Sequence, residues 1–200
     1  MDLKFRIGIC SIGSGVGQAV IDSCHLSAIQ FTTVGLGNNP LAFGLYDCDE
    51  YAFIPSYYDE IFIAELLQVC LTKKIDLIIP GHDDEACRLA ESKEIFEVNG
   101  IHVLCSLQPL SRLCRDKQKL AAAFNGPKEI FAKSMSSGDF KKNWKKADFQ
   151  FPVIAKLIDG FASRGVAIIR SSADFHKITE KHFIQELLTP ASNDPNRALF

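Results

Sequence analysis

A lysine that ends an apolar strand, directly before a loop of small residues, is the part of the sequence best suited to bind an anion. Residues 151–170 read FPVIAKLIDGFASRGVAIIR, in which Lys156 closes one apolar run and Val166–Ile169 form the next. Because an unpaired ammonium is costly to remove from water, Lys156 must have a partner or face a negatively charged ligand. The loop adds backbone N–H groups and the charge of Arg164, which can close together on phosphate oxygens. Composition leaves two interpretations open: a phosphate grip, or an ordinary hairpin whose lysine reaches solvent.

The turn GSGVGQ, after the first predicted strand, is a second candidate anion site. Gly13 and Gly15 match the first two glycines of the dinucleotide-binding fingerprint, but Gln18 occupies the third position. The second predicted strand ends in VGLGNNP, which lacks the carboxylate that binds the ribose of NAD. This argues against a nicotinamide-dependent oxidoreductase. Two interpretations remain: Gly13, Ser14 and Gly15 bind a small anionic or polar substrate at a helix N-terminus, or they form a structural tight turn.

Two further groups of residues resemble metal sites but are better explained otherwise. Consecutive side chains in the run HDDE at residues 82–85 cannot all converge on one ion, so we expect Asp83 or Asp84 to cap a helix. The seven cysteines are odd in number and include no C-x-x-C pair, so neither a disulfide framework nor a zinc pair is predicted. Unpaired thiols in a reducing compartment are expected.

The overall charge argues against two classes of partner. The chain has 200 residues, with 22 Lys and Arg against 24 Asp and Glu, and a net charge of -2. No global field therefore favours nucleic acid or an anionic membrane. No segment approaches the roughly 20 apolar residues of a membrane span, and the N-terminal apolar run is too short for a signal peptide. We expect a cytoplasmic protein.

Strand-like and helix-like stretches alternate over the first hundred residues. Short β-branched or apolar runs begin at Phe5, Phe31, Tyr51, Asp76 and Ile101, and stretches with helical spacing lie between most of them. This alternation predicts a parallel sheet with right-handed crossovers, that is, a doubly wound α/β domain over residues 1–108.

The pattern changes near Pro109. We expect a helix over Leu110–Phe124, a short amphipathic helix over 139–148, a hairpin of Val153–Lys156 with Val166–Arg170, a helix from Ser172, and a strand over His182–Leu188. Helices against a small, largely antiparallel sheet make an α+β unit over residues 109–200.

Four stretches, in this order, resemble the N-terminal part of ATP-grasp enzymes, most closely the short proteins related to the carbamoyl-phosphate synthetase large subunit. They read VGLGNNPLAFGLYDCDEYAFIPSYYD, KIDLIIPGHDDEACRLA, CRDKQKLAAAF and FPVIAKLIDGFASRGVAIIR. The resemblance implies a Rossmann-like pre-ATP-grasp domain over 1–108 and an incomplete first lobe of the ATP-grasp domain over 109–200. It also implies ATP and Mg2+ as cofactors and a small carboxylate as substrate.

The resemblance further implies roles for individual residues. Lys117 and Lys156 match the two phosphate-binding lysines of the family, and Val166 matches an apolar residue beside the adenine. Phe161 and Ala162 replace glycines of the family's commonest lid pattern. The segment IQELL matches the hinge that binds adenine through its backbone. The implied ATP-binding residues are Lys117, Lys156, Phe161, Ala162, Ser163, Arg164, Gly165, Val166, Gln185, Glu186 and Leu188.

The family's magnesium-binding glutamate and Glu-x-Asn pair follow the hinge, and this sequence has only Asp194 after Leu188. We therefore expect the magnesium ligands beyond residue 200, no catalytic residues within the chain, and weak ATP binding at best. The implied whole enzyme activates a carboxylate or bicarbonate as an acyl phosphate, which an amine, ammonia or a thiol then attacks. The alternative is a non-catalytic nucleotide-binding or regulatory module that lacks the metal site. A homo-oligomer is compatible with the sequence, which does not fix the oligomeric state.

Overall fold

Residues 5–124 and 132–188 are described by the computed structural model. The chain divides into two compact units, Met1–Arg112 and Leu113–Phe200. The domain boundary predicted after residue 108 and this division both fall within one helix, Gln108–Arg115.

The first unit contains a five-stranded parallel sheet. Its strands are β1 (Phe5–Ile9), β2 (Phe31–Gly37), β3 (Glu50–Phe53), β4 (Leu77–Ile79) and β5 (His102–Val103). The strand order is β3-β2-β1-β4-β5, so the direction of winding reverses between β1 and β4. This is the doubly wound arrangement that the alternation of strands and helices predicted.

Helices cover both faces of this sheet. They are α1 (Gly15–Leu26), α2 (Phe62–Lys73), α3 (Asp83–Glu91) and α4 (Lys93–Glu97), with a 3-10 helix at Phe43–Tyr46. The helix α5 (Gln108–Arg115) follows β5. Strand side chains alternate between the two faces. Val34 and Ile78 pack with α2, α3 and α4, whereas Ile7 and Ile9 pack with Ile21 of α1. The two apolar clusters hold the sheet from opposite sides.

The second unit contains a four-stranded antiparallel sheet of order β6-β9-β7-β8. Its elements are α6 (Lys117–Ala123), β6 (Ser134–Ser136), α7 (Ser137–Asn143), β7 (Val153–Leu157), β8 (Ala167–Ile169), a 3-10 helix (Ser172–Lys177) and β9 (His182–Glu186). Phe140 of α7, Val153 and Ile184 belong to its core, which packs on one face of the sheet. The predicted hairpin is the antiparallel pair β7–β8.

Three predicted helices have different bounds in the structure. The stretch 110–124 is two helices, because the Asp116 side chain accepts hydrogen bonds from the N–H groups of Gln118 and Lys119 and starts α6. The stretch after Asp83 is also two helices, α3 and α4, which break at Ser92. The amphipathic helix predicted over 139–148 begins earlier, at Ser137, because Ser136 caps it, and it ends earlier, at Asn143.

Candidate functional site

Lys156 projects from β7 on the side opposite the core of its unit. Val153 and Ala155 are buried in that core, and the alternation of the strand places Lys156 on the other face. Its ammonium donates a hydrogen bond to Oε1 of Gln185, at 2.9 Å. Within the described ranges, no carboxylate lies within 4.0 Å of this ammonium. In this part of the chain, the partner of Lys156 is therefore a neutral amide, which does not offset its positive charge.

Lys117 begins α6 and contacts the loop that follows β7. Its backbone N–H donates to the carbonyl of Ile158 at 3.1 Å. Its ammonium donates to the carbonyl of Gly160 at 2.5 Å and to that of Ile158 at 3.5 Å. The Asp116 cap fixes where the helix starts and so directs Lys117 toward the beginning of the loop.

The loop itself closes in a tight turn at its tip. The N–H of Arg164 donates to the carbonyl of Phe161 at 3.0 Å, and the Arg164 guanidinium lies 4.9 Å from the centre of the Phe161 ring. The two central residues, Ala162 and Ser163, have φ of 47° and 58°. Positive φ at both central positions is the property of a type I′ turn, which suits a hairpin connection.

These side chains and the loop surround one cavity of about 230 Å³. Seven of its lining residues are among those that the resemblance implied: Lys117, Lys156, Phe161, Ala162, Ser163, Arg164 and Val166. Leu157 and Gly160 also line it, and sequence reasoning missed both. Gly160 could have been found, since it lies in the same loop, whereas Leu157 has the apolar character of an ordinary core residue. The cavity thus joins two lysines and a loop of accessible backbone.

The segment implied to bind adenine forms the end of β9 and the residues that follow it. β9 is an inner strand, paired with β6 on one side and β7 on the other. The N–H of Glu186 donates to the carbonyl of Lys133 at 2.9 Å, and its side chain accepts from the Lys133 N–H. Gln185 reaches Lys156 through its side chain, and Leu188 lies beyond the strand end with 69% of its surface exposed. Gly165, also implied to bind ATP, lies directly after the turn formed by residues 161–164 and has a φ of 67°.

The other candidate, the turn at residues 13–15, lies where the parallel sheet reverses its winding. Ser14 caps α1, and its hydroxyl accepts from the Gly17 N–H at 2.9 Å. A Cβ at Gly81, which follows β4, would lie 2.9 Å from Ser14 Oγ, so the loops after β1 and β4 pack closely. Open α/β sheets bind ligands in the crevice at this switch point. The geometry combines a structural cap with a suitable location for a ligand.

The acidic run after Gly81 serves as a helix start. The cap is His82 rather than Asp83 or Asp84, because His82 is the last extended residue and its Nδ1 accepts from the Asp84 N–H at 3.2 Å. Glu85 is 1% exposed, and its carboxylate accepts from the Gly81 N–H at 2.9 Å. Burial is the largest effect on the Glu85 carboxyl and raises its pKa to about 7. Hydrogen bonds from Gly81, Ser11 and His82 lower the pKa and so offset part of this rise.

Two other sequence predictions concern metals and membranes. In residues 5–124 and 132–188 there is no group of three or more His, Cys, Asp or Glu side chains placed to hold a metal ion. The structure describes all seven cysteines, and they form no disulfide. Cys10 and Cys70 are buried, and the other five are partly or fully exposed. No helix in the described part of the chain is long and apolar enough to span a bilayer.

Residues 7–104, which lie within the first unit, match the protein family described as PylC-like, N-terminal domain. No curated protein matches the sequence.

Solved structures share the fold at low sequence identity. N5-carboxyaminoimidazole synthetase from Staphylococcus aureus, complexed with ADP, superposes with a TM-score of 0.67 and 20% identity over 93% of this chain and 48% of its own. The biotin carboxylase domain of Hydrogenobacter thermophilus 2-oxoglutarate carboxylase, in complex with MgADP, ADP and bicarbonate, superposes with a TM-score of 0.63. Its sequence identity is 16%, over 92% of this chain and 45% of its own. Rhizobium etli pyruvate carboxylase superposes with a TM-score of 0.61 and 18% sequence identity, over 92% of this chain and 18% of its own. The chain therefore has the fold of the N-terminal part of these proteins and spans about half the length of the first.

Proposed function

We propose that this chain supplies the phosphate-binding part of an ATP-dependent ligase. The ligase activates a carboxylate or bicarbonate as an acyl phosphate for attack by an amine, ammonia or a thiol. One observation carries the proposal: Lys117, Lys156, the loop residues from Gly160 to Arg164, and Val166 line a single cavity. Two ammonium groups and several N–H donors at one cavity suit a polyphosphate better than a neutral or cationic ligand.

The electrostatics of Lys156 support this assignment. An ammonium whose partner is an amide keeps its full attraction for an anion, whereas an ammonium paired with a carboxylate would lose much of it. Phosphoryl transfer depends on positioning and on neutralising charge at the phosphates, and both are tasks for fixed cations. In our proposal Lys156 contacts the α- and β-phosphates, Lys117 contributes a second contact, and Phe161–Gly165 form the lid.

Apolar side chains on the same face of the sheet suit the base of the nucleotide. Ile154, Ile168 and Phe183 share the face of Lys156 in the strand register, and Val166 lines the cavity itself. We assign Val166 and the segment from Gln185 to Leu188 to the adenine. Since the N–H of Glu186 is bonded to Lys133, the backbone contact to adenine is assigned to the end of this segment, at Leu188.

The similar structures agree with a nucleotide ligand. ADP is bound in the Staphylococcus aureus enzyme, and MgADP with bicarbonate in the Hydrogenobacter thermophilus domain. We propose the same ligand classes here; Mg2+, whose ligands we expect beyond residue 200, would neutralise charge on the phosphates. We further propose that Gly13, Ser14 and Gly15 contact the acid substrate at the switch point of the first unit. A carbamoyl-phosphate synthetase-like substrate, bicarbonate, is our proposal for that acid.

Calorimetric titration of the chain with ATP, and separately with NADH, tests the proposal. We expect weak binding of ATP and none of NADH. Lys156→Ala should weaken ATP binding by about 10-fold or more, because a charge-assisted hydrogen bond contributes about 1.5–3 kcal/mol. Lys142→Ala, which removes an exposed lysine from α7 in the same unit, is the matched control and should bind ATP as the wild type does. Equal affinities of the wild type and Lys156→Ala would refute the phosphate role.

A further inference from the structure

A buried histidine connects β9 to the end of the lid. His182 is 7% exposed and stands opposite Leu157 in the β7–β9 pair. Its Nε2 lies 3.1 Å from the carbonyl oxygen of Gly165. Its Nδ1 lies 3.0 Å from the backbone nitrogen of Thr179 and 2.8 Å from the Thr179 hydroxyl. Both ring nitrogens therefore have a hydrogen-bonding partner, as a buried imidazole requires.

These partners fix which nitrogen carries the proton. A backbone N–H can only donate, so Nδ1 accepts from Thr179 and has no proton of its own. A carbonyl oxygen can only accept, so Nε2–H donates to Gly165. The ring is thus held in one tautomer, with its single N–H directed at the lid.

The lid is held on both sides by different side chains. Lys117 bonds to the carbonyls of Ile158 and Gly160, which precede the lid, and His182 bonds to Gly165, its last residue. Leu157 lies under both ends, since a Cβ at Gly160 or at Gly165 would come within 2.8 Å of it. The loop between these anchors contacts the cavity with Phe161–Arg164. The position of the lid over the cavity therefore depends on both anchors.

We propose that His182 is a positioning residue of the nucleotide site, which through Nε2–H holds Gly165 and so keeps the lid over bound phosphates. This inference rests on the function proposed above and assigns a role to a residue that does not line the cavity. The ordinary alternative is a histidine that satisfies its hydrogen bonds within the core. That alternative predicts an effect on stability alone, whereas our proposal predicts an effect on the lid.

Two amide substitutions that differ by one methylene separate these roles. In His182→Gln the amide nitrogen can occupy the place of Nε2 and donate to Gly165. In His182→Asn the shorter side chain can replace only Nδ1, so the bond to Gly165 is lost. Circular dichroism and thermal unfolding establish that each variant is folded.

The first readout needs no nucleotide. Trypsin cleaves after the exposed Arg164 in the lid, and cleavage after the exposed Arg170 beyond β8 is the internal control. We expect His182→Asn to increase the rate of cleavage after Arg164 several-fold relative to Arg170, and His182→Gln to cleave like the wild type. Unchanged cleavage in a folded His182→Asn would overturn the proposal. If both variants fail to fold, the ring nitrogens of the wild type are observed by 15N NMR, and a proton on Nδ1 would overturn it.

The second readout is ATP affinity by calorimetry. We expect His182→Asn to bind ATP at least about 5-fold more weakly than the wild type, and His182→Gln to restore most of the affinity. Wild-type affinity in His182→Asn refutes the role of His182 and leaves the proposed function intact. Absence of ATP binding in the wild type refutes the proposed function. It then also refutes the proposal that His182 keeps the lid over bound phosphates.

Discussion

Gln185 is the hydrogen-bonding partner of one of the two lysines that line the cavity. Its amide oxygen is the acceptor for the Lys156 ammonium at 2.9 Å. The sequence alone predicted that Lys156 needs a partner or an anion, but the partner is 29 residues away on another strand. Gln185 was assigned to the adenine because it belongs to the segment IQELL. Its side-chain contact depends on the pairing of β7 with β9, which no local pattern specifies.

Replacing this neutral partner by a carboxylate should reduce the affinity for nucleotide. In Gln185→Glu an ion pair with Lys156 would compensate the charge that attracts the phosphates. We expect ATP affinity to fall by about 10-fold, which corresponds to about 1.4 kcal/mol. Gln150→Glu adds the same charge at an exposed position of the same unit and is the control. If both variants bind ATP equally well, the charge of Lys156 does not contribute to binding.

Glu85 should make the stability of the first unit depend on pH. Burial raises the pKa of its carboxyl from 4.5 to about 7 in the folded protein. Between these pH values the folded state keeps a proton that the unfolded chain releases, so raising the pH favours unfolding. We expect the free energy of unfolding to fall by up to about 3 kcal/mol over this range, relative to Glu85→Gln. Denaturant titrations at pH 5 and pH 8 measure this difference, and parallel pH profiles would contradict it.

At the scale of elements, the lid was predicted as a loop between two strands, and the β7–β8 pair confirms that hairpin. Its anchors could not be predicted, because Gly160 is 43 residues from Lys117 and Gly165 is 17 residues from His182. The split between α5 and α6 was predictable, since Asp116 is a good N-cap residue that starts a helix at Lys117. Helical spacing continued across Asp116 and hid this boundary. Periodicity locates elements well, but contacts between distant elements determine the site.

Gly165 should tolerate no side chain. Its φ of 67° is strained for other residues, and a Cβ there would lie 2.5 Å from Leu157 Cδ1. We expect Gly165→Ala to lower the free energy of unfolding of the second unit by more than about 1 kcal/mol and to displace the lid. Gly138→Ala in α7 is the control, because among the described residues no atom outside its own helix and chain neighbours lies within 4 Å of its Cβ position, and alanine favours a helix. Denaturant unfolding compares the two, and equal stability would contradict the strain.

At the scale of the whole molecule, the sequence predicted the fold of both units. Alternating strands and helices predicted the parallel sheet, and the change in pattern near Pro109 predicted the α+β unit. Both predictions were correct because buried strands and helices repeat apolar residues at characteristic spacings, which a short stretch of sequence already shows. The identity of the substrate acid has no such signal. In the first unit, the switch point shows close packing of Ser14 on Gly81, which is compatible with either a ligand site or a structural turn.

Each unit has a candidate place for a nucleotide, and the roles proposed for Lys117 and Lys156 require that it bind in the second unit. The strand order of the first unit is that of dinucleotide-binding domains, but the carboxylate expected for a ribose is absent from its sequence motif. The cations and the lid belong to the second unit. A nucleotide placed at residues 13–15 would remove the basis for the roles of Lys117, Lys156 and His182.

Backbone amide chemical shifts followed by NMR during an ATP titration distinguish these two places directly. We predict that the largest shifts occur at Lys117, at Leu157 and over residues 160–166, with those of Gly13–Gly15 unchanged. Shifts concentrated at Gly13–Gly15, or none in the second unit at high ATP concentration, would contradict a phosphate site built around Lys156.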